Sequence, residues 1–110
     1  MTHEEYVAQQ RARAGLIAQR VVAGEMSVLE GSHQVARLDL ELSDDDPDLE
    51  VIRAVESETD MLPIGESRAH WAEDALKSKE AELRKAETWA RGAALDAFRH
   101  LAERFAAGLP

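Results

Sequence analysis

The feature that most constrains this chain is one apolar seam formed by Leu76, Leu83, Ala90, Ala94, Phe98, Leu101 and Phe105. Steps of seven, four and three residues hold a stripe on one side of an α-helix. Glu73→Lys77, Glu80→Arg84 and Glu87→Arg91, with each acid one turn before its base, are expected on the wet side of that helix. A helix from about Ala72 to Ala106 is therefore predicted, with Gly92 as its one weak position. At 1.5 Å per residue it would be roughly 50 Å long. No helix predicted upstream matches that length. Two short helices end to end, a kink near Gly92, or a second copy of the chain would cover it.

Upstream, Thr2-His-Glu-Glu5 has capping-box spacing and opens a helix whose stripe is Val7, Ala14, Ile17 and Val21. Gly24 is a natural stop. A second capping box, Ser27-Val-Leu-Glu30, opens a run with the seam Val28, Gly31, Val35, Leu38 and Leu42. Gly31 within that seam lets a neighbouring element come close. Asp46 is suited to N-cap a third helix with Pro47 at its first position, running to about Glu58 on Leu49, Ile52, Val55 and Thr59. Met61–Gly65 is an apolar connector, expected to lie against the core. The fold class is all-α: an antiparallel bundle of about four helices with a long C-terminal helix, one helical domain over residues 1–110, with a homodimer as one arrangement.

Composition narrows the class of function. Hydrophobic residues make up 45% and charged residues 32% of the 110, a balance of globular rather than disordered or membrane type. The apolar runs are only a few residues long, against the ~20 that a spanning helix needs. With no cysteine there are no disulfides, thiolate nucleophiles or Cys-based zinc sites. The acidic N-terminus lacks a leader-like apolar stretch, and a cytoplasmic location is expected. The net charge of −9 is unevenly placed. Residues 1–38 are balanced and residues 75–110 carry +2, while residues 39–74 set thirteen acids against Arg53 and Arg68, a net of −11. Such a field disfavours nucleic acid and anionic membrane and favours a basic protein partner.

Metal motifs fail on spacing. Asp44, Asp46, Asp48 and Glu50 alternate as in a calcium loop, but Leu49 and Val55 stand where that loop needs Gly and Glu. Asp44, Asp45 and Asp46 read instead as a solvent-facing acidic turn with an N-cap. Glu30-x-x-His33 is half of a di-iron ligand set, and Glu30 already has a capping role. No metal or cofactor is expected. His3, His33, His70 and His100 share no catalytic motif.

The densest chemistry lies between Glu56 and Trp71. Glu58, Asp60, Arg68, His70 and Trp71 are the candidate ligand- or partner-binding residues. The competing structural reading makes the acids and hydroxyls helix ends, pairs Arg68 with Asp60 or Glu58, and sets Trp71 over the core. Ser57-Glu-Thr-Asp60-x-Leu62-Pro63-x-Gly65, Trp71, and Gly24-Glu25-x-Ser27-x-x-Glu30-Gly31 resemble an uncharacterised family of small bacterial all-helical proteins. The resemblance spans about residues 15–105 and implies a bacterial source without an activity, cofactor or catalytic residue. The leading expectation is an acidic protein-interaction module, an adaptor, regulator or immunity-type protein. The alternatives are a small-ligand binder or enzyme using Asp60–Trp71, and a structural dimer without ligand. A non-catalytic role is expected over an enzymatic one.

Overall fold

The computed structural model describes residues 1–106, apart from the side chains of Glu66 and Ala106. The predicted all-helical architecture is present: α1 (His3–Val22), α2 (Val28–Ala36), α3 (Pro47–Thr59) and α4 (Glu73–Ala106), with a 3₁₀ turn over Gly65–His70 before α4. Thr2 Oγ1 accepts from Glu5 N–H at 3.1 Å and Ser27 Oγ from Glu30 N–H at 3.0 Å, so both expected caps start their helices. Asp46 caps α3 by accepting from Asp48 and Leu49 N–H. Gly24, at φ +80°, ends α1 in the left-handed region that side chains avoid.

α4 runs unbroken through Gly92, and the other elements pack along it. Gly15 of α1 lies against Phe105, while Val21, further along α1, meets Gly31 beside Phe98. α1 therefore runs antiparallel to α4. Asp48, near the start of α3, contacts His100 and Arg104, whereas Glu58 and Thr59 share a recess with Lys85 and Trp89. α3 is thus antiparallel to α4 as well. Ala90, Ala94, Phe98 and Leu101 are buried as the seam predicts, and they meet Val21, Val28, Val35, Ile52 and Val55 in one core. Leu76 and Leu83, toward the start of α4, are only partly covered.

α2 is shorter than expected. Its predicted seam extended to Leu42, but the helix ends at Ala36 and an irregular segment leads to Asp46. Arg37 and Leu38 N–H close turns onto Gln34 and Val35, Glu41 lies in the left-handed region at φ +49°, and a second turn falls at Asp44–Asp45. Side chains of α1 satisfy the segment's backbone: Gln10 Oε1 accepts from Asp39 N–H at 3.2 Å, and Arg11 Nε donates to Leu40 O at 2.9 Å. Leu40 rather than Leu42 is the fully buried leucine there.

The acidic turn is only partly solvent-facing. Asp44 and Asp45 are exposed, but Arg104 donates to Asp46 at 2.8 Å and to Asp48 at 3.2 Å. His100 Nδ1 lies 2.8 Å from Asp48. The Arg104 hydrogen bond holds the Asp46 carboxyl below its ordinary value. These carboxylates join α3 to α4. No helix among the described residues is long and apolar enough to cross a membrane.

Candidate functional site

α3, the connector after it and α4 form a recess of about 370 Å³ lined by Glu58, Thr59, Leu62, Glu82, Lys85, Ala86 and Trp89. Leu62 N–H donates to Thr59 O at 3.1 Å, turning the chain out of α3, and Pro63 and Ile64 then bury themselves. The apolar connector thus lies against the core as expected. Glu82, Ala86 and Trp89 follow one another at steps of four and three, so α4 presents them on one face. Trp89 stands one residue before the buried Ala90. It is consequently turned off the seam and is 48% exposed. Met61, at the connector's outer edge, is 81% exposed. Within the recess, Leu62, Ala86 and Trp89 sit between the carboxylates of Glu58 and Glu82, with Lys85 as the lining cation.

Thr59 joins this recess to a second, polar one. Its hydroxyl donates to Val55 O at 2.6 Å, and a hydroxyl has one proton to give. Its oxygen therefore accepts from His33 Nε2–H at 2.9 Å, which fixes the imidazole tautomer. Burial pushes His33 below its ordinary value, Arg37 adds to that, and Glu56 and Asp60 oppose it. Beyond the imidazole lies a recess of about 290 Å³ lined by Glu30, Gln34, Arg37, Ile64, Gly65 and Ser67. Ser67 is committed to the turn, since its Oγ accepts from Ile64 N–H and donates to Ile64 O.

The five residues singled out in the sequence do not come together. Glu58 lines the Trp89 recess, and Asp60 is the exposed C-cap of α3. Arg68 is exposed in a different groove, with Leu29, Pro63, Leu83 and Glu87. His70 is exposed at the end of the 3₁₀ turn and Trp71, half-buried, caps it. Neither lines any of the recesses described. Trp89, Leu62 and Glu82 were missed. The available signal was a tryptophan falling off an otherwise regular buried stripe. In the sequence His33 reads as half of a metal site, yet its partner is Thr59, while Glu30 accepts from Gln34 at 3.3 Å. Among the described residues, no group of three or more acids and histidines is placed to hold a metal ion.

Comparison with protein-family models, curated proteins and solved structures gave no match to this chain.

Proposed function

We propose that this protein is an acidic protein-interaction module that takes a basic, partly apolar partner on the α3–α4 face. The observation that carries the reading is Trp89, a large aromatic held at the surface beside Leu62 and Ala86, with Glu58 and Glu82 lining the same recess and Lys85 as its one cation. Interfaces draw most of their affinity from such an aromatic anchor, and an acidic rim steers a basic partner toward it. The net charge of −9 acts in the same direction at longer range. The module would work in a bacterial cytoplasm, as an adaptor, regulator or immunity-type protein.

The test compares crosslinked partners of the wild-type chain, Trp89→Ala, and a Glu58→Lys/Glu82→Lys double variant. A basic partner should be lost with Trp89→Ala, and in the double variant its association should slow while its dissociation changes little. A partner retained at full affinity by both variants would refute this face.

A second reading, a small-ligand binder, is supported by the enclosed polar recess beside His33 rather than by Asp60–Trp71. There Arg37 and Glu30 offer opposite charges to a small zwitterionic molecule. Ligand-induced stabilisation that vanishes in Arg37→Ala, but survives Trp89→Ala, would favour it.

A further inference from the structure

A groove away from the proposed partner face carries the opposite sign of charge. α1 and the end of α2 enclose this open groove of about 870 Å³ floored by Leu16, Ile17, Ala23 and Leu38. Arg13 and Arg20 come from α1, and Arg37 is the C-cap of α2. All three are exposed, and among the described residues no ion pair or side-chain hydrogen bond engages them. Glu25 is the one acid that lines the groove. Three free guanidinium groups around one apolar floor run against the bias of a chain with a net charge of −9.

The spacing says what would fit. Arg13 and Arg20 stand one turn before and one turn after Leu16, which is 48% exposed. They are about 10 Å apart along the axis, so two separate anionic groups match them one to one. Two carboxylates seven residues apart on a facing helix repeat that distance, with an apolar residue between them to cover Leu16. We propose that this groove docks an acidic amphipathic helix of a partner protein, its acids two turns apart bracketing an apolar side chain.

A second copy of this chain fits less well. Its α4 carries the spacing twice, as Glu73-Leu76-Glu80 and Glu80-Leu83-Glu87. Lys77 and Arg84, however, stand on the same face between the acids and would meet the arginines as like charges, and Glu87 already holds the start of α2. Nucleic acid would meet three arginines and the repulsion of the whole molecule. The inference is independent of the Trp89 face. Together they make a module with two surfaces of opposite preference.

The experiment selects binders to the full chain from a displayed library of helical peptides with one face randomised. The expected winners carry Glu or Asp at positions i and i+7 with an apolar residue at i+3 or i+4. Their affinity should fall at least tenfold against Arg13→Glu/Arg20→Glu and against Leu16→Glu, fall in raised salt, and stay unchanged against Trp89→Ala. Circular dichroism checks the fold of each variant, and Arg13→Gln/Arg20→Gln replaces the reversal if that variant loses helix. The inference is overturned if no binder emerges, or if the winners survive the arginine substitutions. It is equally overturned if a single-stranded oligonucleotide outcompetes them, or if the arginine substitutions abolish self-association of the chain itself, which would assign the groove to a second copy.

Discussion

Glu87 of α4 stands over the first turn of α2, its Oε2 accepting the Val28 N–H at 2.9 Å and its Oε1 the Leu29 N–H at 3.0 Å. These amides begin α2 and have no partner within the helix. A negative charge at that end also meets the positive pole of the helix dipole. Glu87→Ala should lower stability by about 1–2 kcal/mol, because two amide donors lose a charged acceptor. Urea denaturation measures it, and a loss below ~0.3 kcal/mol would show that water replaces the carboxylate without cost.

Two glycines should respond to alanine with opposite sign. At Gly31 a methyl group would stand 2.5 Å from Val21 Cγ2 and 3.3 Å from the Phe98 ring, so overpacking should cost about 1–3 kcal/mol. At Gly92 nothing lies within 4 Å, and Gly92→Ala should stabilise by about 0.5–1 kcal/mol through helix propensity alone. Thermal midpoints of the two variants read out the contrast. A destabilised Gly92→Ala would mean that another surface covers this side of α4.

The aspartates of the acidic turn should separate in the same way. Asp44→Lys/Asp45→Lys changes exposed side chains and should alter stability by less than ~0.5 kcal/mol. Asp46→Lys removes the α3 cap and sets a lysine against Arg104, and about 2 kcal/mol or more should be lost. Equal losses for the two variants would contradict the Arg104 linkage.

His33 and His100 should give stability slopes of opposite sign. Burial keeps His33 neutral below its ordinary value of 6.5, while the unfolded chain takes up a proton there. Its contribution therefore declines as pH falls from 6.5. The Asp48 hydrogen bond and charge raise His100 above 6.5. Its contribution is complete below 6.5 and disappears as pH rises through the higher folded value. Urea titrations across this range should show His33→Gln losing less stability on acidification than the wild-type chain. The deficit of His100→Gln should be largest in acid and shrink in base. Parallel curves for wild type and both variants would disprove the assignment.

Much of this architecture was legible because helix starts and buried stripes are local signals. Thr2, Ser27, Asp46 and the Ala90–Leu101 seam each act within a turn or two of themselves. The end of α2 was not legible, because Leu38 and Leu42 keep helical spacing while side chains of Gln10 and Arg11 claim the backbone of Asp39–Glu41. Glu87 was read as one half of a surface pair with Arg91, since its actual partners lie in α2. For the candidate site, sequence proximity between Asp60 and Trp71 stood in for spatial convergence. The 3₁₀ turn instead spreads those side chains over different surfaces, and the aromatic at the α3–α4 recess comes from α4.

The linkage between Glu87 and the start of α2 also bears on how the chain is made. The two ends of that contact are 59 residues apart. At ~5–20 residues per second, synthesis leaves the first turn of α2 without its carboxylate for on the order of 3–12 s. Over the same interval the apolar stripe of α1 waits for Phe98, Leu101 and Phe105, which are translated later still. Nascent α1, α2 and α3 can meet one another as they emerge, but the surface that faces Phe98 and Leu101 stays bare until α4 is made, so closure of the core is tied to the last third of translation.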